Sequence, residues 1–352
     1  MNWQYFSARV VSAECGAVVK ADAYGIGVTA VVKRLLEVGC QTFFVATMDE
    51  AIELRESVAG DYDIVVLGGQ AANYHNECAH YALTPVLISF EQIKQWIKSA
   101  VNNVVFPIIK FDSGMHRFGL LPEHMDCLIE NVDLLQTLSP SYFMSHLACA
   151  DTPEHPLNQS QLSLFSRYYS QLKTSLPSLK ASLANSSGCF LGSEYYFDLC
   201  RPGIGLYGGN PARSAVNPMQ NVVELSLPIM QLKTINKGDS VGYGADYRAA
   251  SAMRIAIVFG GYADGLFRLL SRSGRGFIGS QAVPMVGRVS MDAIAFDVSH
   301  IPDSSLHSEN SIEILGEHQS VDELAAQANT ISYEVLTSLG SRYHRHYVSA
   351  LL

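Results

Sequence analysis

The chain has 352 residues, 48% of them apolar, with 24 Lys and Arg against 33 Asp and Glu and a formal net charge of −9. That balance, with no basic run, argues against a nucleic-acid or anionic-membrane partner and leaves a small molecule, while length and apolar content provide for two domains with sizeable cores. Seven cysteines at no metal-like or paired spacing point to a reducing compartment without disulfides, and the opening MNWQYFSARV has no apolar signal-like stretch, so a soluble cytoplasmic protein is expected.

In chain order, short apolar runs alternate with stretches of helical period, the mark of βα units. Strands are expected at 18–22, 42–47, 63–68, 84–88, 104–112, 142–147, 180–185 and 198–208. Eight parallel strands imply an α/β fold, a closed (β/α)8 TIM barrel spanning 1–217. Between the strands, Val28, Val31, Val32, Leu35 and Leu36 share one helix face. Thr47 with Glu50 reads as a capping box, Ser89 with Gln92 repeats it, and Pro122 suits a first helical turn. From 218 to 352 strand-like runs follow one another with turn residues between them, which predicts a mostly antiparallel β domain. Two short helices close it, the first opened by Ser320 with Glu323 and the second ending near Gly340.

Barrel chemistry sits at the C-terminal ends of the strands. Those ends carry Lys20, Lys110 with Asp112, His146, Asn185 with Ser186, and Arg201 before Gly203. A lysine at the end of a buried strand resists charging, the condition for a Schiff-base lysine; taken alone it more often snorkels to solvent. Tyr24, with Gly25 and Gly27, offers a hydroxyl and open amides beside it, as Ser186, Gly203 and Ile204 do at the last two strand ends, where barrels often bind phosphate. The RYHRHY tail reads as a solvated basic terminus rather than a metal site.

Taken in order, VVKADAYGIG, IIKFDSGMHRFG, SHLACAD, ANSSG, RPGIGLYGG, VGYGADY, GGYADG, GRVSMD and TISYEVLTSLGSRY resemble the motifs of bacterial alanine racemases across nearly the whole chain. The resemblance implies a racemase that interconverts L-alanine and D-alanine by a two-base mechanism on a pyridoxal-phosphate aldimine, supplying D-alanine for peptidoglycan. It also implies a homodimer in which residues 218–352 complete the partner's active site.

By the same resemblance Lys20 holds the cofactor and serves as the base on the D face, and Tyr243 of the other subunit is the opposing base on the L face. Arg201 faces the pyridine nitrogen, His146 orients Arg201, and Arg117 lies near the cofactor's phenolic oxygen and the substrate carboxylate. Lys110, carbamylated in part of the family, positions Arg117. Tyr24, Ser186 and Tyr333 hold the phosphate, with the amides of Ser186, Gly203 and Ile204 assisting and Asn185 beside them. The Met291 amide donates to the substrate carboxylate, and Tyr262 and Asp292 belong to the entrance and its support. For Asp292 and Arg288 a plain salt bridge is an equal reading. Two positions depart from the family pattern, Ile26 where it often has His and Ser290 where many members have Cys. The rival readings are a serine or broad-specificity racemase on the same scaffold and a non-catalytic pyridoxal-phosphate carrier; carriers lack the second domain that supplies GYGADY and SMD.

Overall fold

The computed structural model describes residues 1–99, 101, 104–212 and 216–348. The chain forms two compact units, one of residues 1–23, 27–206 and 210–218 and the other of 24–26, 207–209 and 219–352.

In the first unit, strands β1 (Glu14–Cys15), β2 (Ala17–Val18), β3 (Thr42–Val45), β4 (Asp63–Val66), β5 (Leu83–Leu87), β6 (Ile108–Lys110), β7 (Tyr142–Met144), β8 (Lys180–Ser182) and β9 (Leu199–Cys200) run parallel. Strands β2 to β8 pair consecutively, and β9 pairs with β1. The ring closes through backbone bonds from Asp198 to Ala181 and Arg201 to Ala184 on one side of β9, and from Glu14 to Asp198 and Gly16 to Cys200 on the other. β1 and β2 are two halves of one barrel strand interrupted at Gly16, where a Cβ would lie 2.9 Å from the Phe44 ring and 3.0 Å from the Thr42 carbonyl. Eight strand positions therefore form the (β/α)8 barrel. Helices such as Val28–Glu37, Met48–Ser57 and Pro156–Ser175 cover it, whereas only short 3-10 turns join β8 to β9.

Parallel strands covered on both faces read as continuous apolar runs, and all four residues of β3 and all three of β6 are buried. Phe143 stacks on Phe165 (centroids 4.8 Å, 11°) and on Phe111 (5.5 Å, 22°), and Tyr168 meets Phe111 edge-on. The Thr47–Glu50 box forms in full. At Ser89 the hydroxyl accepts from Gln92, but the Gln92 side chain reaches one residue further back, to the Ile88 amide. Pro122 opens its helix as the sequence predicts.

In the second unit, β10 (Leu225–Ile235), β13 (Met253–Phe259), β14 (Arg275–Ile278), β15 (Gln281–Val286), β16 (Ala293–Asp297) and β17 (Ser311–Leu315) form a closed antiparallel barrel in the order β10-β13-β16-β15-β14-β17. β10 is long enough to pair with β17 through Leu225–Pro228 and with β13 beyond Ile229, its register shifting between Ile229 and Gln231. The remaining strands, β11 (Ser240–Val241) and β12 (Tyr247–Arg248), make a separate hairpin. Val241 and Ala249 cluster with Met253, Ile255, Val286 and Ala295 of the barrel strands. Helix Val321–Gln327 carries the expected Ser320–Glu323 capping box, and helix Ser332–Ser338 ends two residues before Gly340.

Because Phe165 is fully buried among three aromatic partners, Phe165→Ala should lose about 3–5 kcal/mol of unfolding free energy, read from urea midpoints. A loss below about 1 kcal/mol would mean that the aromatic stack is not part of a packed core.

Candidate active site

Strand β2 ends at Val18, and the chain then takes a path that its sequence does not announce. Ala21, Asp22, Ala23 and Tyr24 have φ of 53°, 53°, 52° and 59°, a turn of left-handed helix within Lys20–Gly25. Left-handed geometry costs an L-residue roughly 1–2 kcal/mol, so four of them store roughly 4–8 kcal/mol that other contacts must offset. Fastenings are present at both ends. The Ala21 amide donates to Glu50 Oε1 at 2.7 Å, Ala23 donates to the Val19 carbonyl at 2.9 Å, and Val28 donates to Asp22 Oδ1 at 2.7 Å.

Around this turn the barrel gathers positive charge. Burial first, then Arg117, lowers the Lys20 amine below its ordinary 10.5, with Glu50 opposing. Burial, with Arg201, Arg117 and Lys20 adding to it, brings Lys110 down to about 8; its Nζ lies 5.9 Å from the centre of the Phe118 ring. Lys110, Asp112, Arg117, Ser145 and His146 line one cleft.

Arg201 is buried with 4% exposure. Its Nη1 donates to the Ser182 hydroxyl, and its Nη2 to the Ser145 carbonyl at 2.6 Å and the Leu183 carbonyl at 3.2 Å. His146 Nδ1 stands 3.4 Å from the same Nη2. Burial lowers the guanidinium to about 10, which leaves it a cation at neutral pH. His146 is held well below its ordinary value by burial and then by Arg201, Lys110, Arg117 and Lys20, so its ring is neutral.

Asp112 has its carboxylate occupied by backbone. Oδ1 accepts from Gly114, Met115 and His116 at 3.0 Å each, and Oδ2 from Arg117 at 3.1 Å. Burial pushes the carboxyl up, but these amides outweigh it and hold it below its ordinary value. The loop that presents Arg117 is shaped in this way, and so is the next layer. Ser145 bonds Ser113 and the Phe111 carbonyl, and Gln161 bonds Ser113 and the His146 carbonyl.

At the ends of β8 and β9, Asn185 bridges Arg201, and its Oδ1 accepts from Gly188 at 2.8 Å. The buried Ser186 hydroxyl accepts from the amides of Gly203 (2.7 Å) and Gly205 (3.3 Å), on either side of Ile204.

The second unit holds the remaining residues in three groups. Tyr24 packs on Tyr207 (centroids 4.7 Å) and Tyr333 (5.9 Å). Tyr243, 70% exposed, lies on the connection between β11 and β12, where Arg288 pairs with Asp246. Tyr262, Met291 and Asp292 lie on two joined loops. Tyr262 donates to the Ser290 carbonyl and Ala263 to the Met291 carbonyl, and a Cβ on Gly261 would lie 2.2 Å from the Ser290 oxygen.

Arg342 fixes both loops. Its Nε and Nη2 fork onto the buried Asp264 at 2.6 and 2.7 Å, and Nη1 reaches Asp292 at 2.7 Å. The Arg342 bonds lower the Asp264 carboxyl. Asp292 and Arg288 thus each sit in an ion pair, with Arg342 and Asp246 respectively. Among the described residues no group of three His, Cys, Asp or Glu could hold a metal ion.

Reading the sequence misses Glu50, Ser145, Gln161, Asp264 and Arg342 as parts of these arrangements. Asp-Ser-Gly after β6 is a turn signal that could have exposed the role of Asp112; nothing local marks the others.

Comparison with known proteins places these features in a family. Residues 1–211 match the family model "Alanine racemase, N-terminal domain" and residues 222–347 match "Alanine racemase, C-terminal domain". An alanine racemase of Rhodospirillum rubrum is 44% identical over 98% of this chain and 92% of its own. A catabolic alanine racemase of Agrobacterium fabrum is 40% identical over 99% of this chain and 89% of its own. The crystal structure of alanine racemase from Bartonella henselae with covalently bound pyridoxal phosphate superposes with a TM-score of 0.90 at 35% identity, covering 99% of this chain and 96% of that one.

A neutral His146 should make folding pH-dependent. Once unfolded, its imidazole titrates near 6.5, so below that pH the unfolded chain binds the extra proton and the fold loses stability, while above it the contribution is complete. Urea midpoints of the wild type should therefore fall more steeply between pH 7 and 5.5 than those of His146→Gln. Parallel pH profiles would mean that the imidazole is free to charge in the fold.

Proposed function

The chain belongs to the alanine racemase family, and we propose that it interconverts L-alanine and D-alanine with pyridoxal phosphate held on Lys20, as a cytoplasmic homodimer supplying D-alanine for peptidoglycan. The observation that carries this reading is the set of cations at the barrel's strand ends. Lys20, Lys110, Arg117 and Arg201 act on one another or on His146, whereas Asp112 and Glu50 have their oxygens on backbone amides. Such a site fits a small anionic ligand with phosphate and phenolic oxygens.

In this reading residues 1–217, with Tyr333, hold the cofactor. Ser186 and the amides of Gly203 and Ile204, with Asn185 beside them and Tyr24 and Tyr333, take the phosphate. Arg201, oriented by His146, would donate to the ring nitrogen; because a guanidinium keeps its protons, it would leave that nitrogen unprotonated, which disfavours transamination. Arg117, positioned by Lys110 and by the Asp112 loop, would serve the phenolic oxygen and the substrate carboxylate. When bound, pyridoxal phosphate supplies the electron sink that acidifies the α-hydrogen of the amino acid.

Racemisation needs a proton removed on one face of Cα and delivered on the other, hence two bases. Lys20, with its lowered affinity for a proton, serves one face. The partner subunit's Tyr243 serves the other. The exposure of Tyr243 (70%), Met291 (51%) and Tyr262 (45%) supports a role at a shared site, and residues 218–352 would complete the partner's centre. The Met291 amide would donate to the carboxylate, Asp292 and Arg288 would hold their loops by the ion pairs described, and the rings of Tyr262 and Tyr333 would limit the pocket to a small side chain.

The first test is α-hydrogen exchange from both enantiomers of alanine in deuterated water. Exchange is expected from each, and Lys20→Ala should lose it by at least about a thousandfold together with the visible absorbance of the loaded protein. Cofactor binding with no exchange in the wild type would turn the reading toward a carrier, and faster turnover of serine than alanine would correct the substrate. The second test mixes inactive Lys20→Ala and Tyr243→Ala subunits. Random hybrids rebuild one intact site in half the dimers, so about a quarter of wild-type activity should return; none in a verified hybrid would mean that each site comes from one chain.

A further inference from the structure

We propose that Glu50 is a positioning residue for Lys20, clamping the left-handed turn that carries this lysine to the end of the adjoining barrel strand. The proposal rests on Lys20 being the cofactor-bearing lysine. Glu50 lies in the first turn of helix Met48–Ser57, where a capping box asks only that the carboxylate reach back to the Thr47 amide. That bond is the longest the carboxylate makes, at 3.3 Å from Oε2. The same oxygen accepts from Ala46, just past β3, at 2.6 Å, and Oε1 accepts from Ala21 at 2.7 Å.

Ala21 directly follows Lys20 and is the first residue with positive φ. The bond from its amide therefore fixes the peptide plane on the C-terminal side of the lysine, in a conformation that alanine disfavours. β2 and β3 are neighbours in the sheet, so one side chain joins two strand ends through charge-assisted bonds. It also sets a negative charge against the influence of Arg117 on Lys20.

Removing the carboxylate should impair Lys20 more than it weakens the helix. Thr47→Ala provides the control, since it breaks the same capping box while leaving Ala21 bonded. In the cofactor-loaded enzyme, Glu50→Gln should lower kcat about tenfold or more with KM changed less than about twofold, and should move the acid limb of the D-alanine pH profile to lower pH. Hydroxylamine should strip its visible absorbance several-fold faster than from the wild type. Thr47→Ala should lower Tm by a similar amount yet match the wild type in kcat, pH profile and stripping rate. If the two variants behave alike, or if Glu50→Gln matches the wild type, the proposal is overturned. Should Glu50→Gln prove too unstable to load, Glu50→Asp, which keeps the charge but is too short to span both amides, takes its place with the same expectations for kcat, KM and stripping rate and with the acid limb left where it is in the wild type. A wild type without visible absorbance would instead refute the reading of Lys20, a separate result from any difference between the variants.

Discussion

Removing charge from water is the constraint on which the first unit depends. Arg201 is a guanidinium 4% exposed, and among the described residues its hydrogen-bond partners are the Ser182 hydroxyl, two carbonyls and a neutral imidazole rather than a carboxylate. A buried cation without a counter-ion persists only where dipoles replace lost water, so the carbonyls just past the ends of β7 and β8 must stay where they are. The neutrality of His146 and the lowered proton affinity of Lys110 follow from burial first and from the neighbouring cations second. A barrel is suited to hold such a set because its parallel strands deliver the polar ends of separate segments to one rim.

The carboxylates nearby do structural work. Asp112 folds the loop that leads to Arg117, and Glu50 ties the residue after Lys20 to the end of β3. In both cases the acid satisfies backbone amides, so its charge orders the loop without closing a direct ion pair on the cations. The left-handed turn shows why such fastening is needed, since four consecutive L-residues with positive φ do not persist without it.

The second unit solves a related problem with one arginine. Asp264 is buried, and the Arg342 fork satisfies both of its oxygens while a third bond reaches Asp292. The loops bearing Tyr262 and Met291 are thereby tied together and to the segment after helix Ser332–Ser338. Backbone approach at Gly261 leaves no room for a side chain there, which accounts for the glycine beside Tyr262.

Much of this was legible in the chain itself because it is periodic or local. Continuous apolar runs such as Thr42–Val45, short and bounded by turn signals, read as buried parallel strands, the alternation with helices implied a barrel, and the capping boxes at Thr47 and Ser320 follow from side chains three residues apart. The placement of Lys20, Lys110, His146 and Arg201 at strand ends follows from the same period. Tertiary structure alone decided how those groups perturb one another, since desolvation depends on neighbours remote in sequence: Arg201 meets Ser145, and Glu50 meets Ala21, only after the strands have paired. It also decided the left-handed path of Ala21–Tyr24, for which Ala-Asp-Ala-Tyr carries no local preference, and the joining of Arg342 to Asp264 across 78 positions of chain. Local pattern specifies which elements form; long-range electrostatics and hydrogen bonding, absent until the chain is folded, specify what their ends can do.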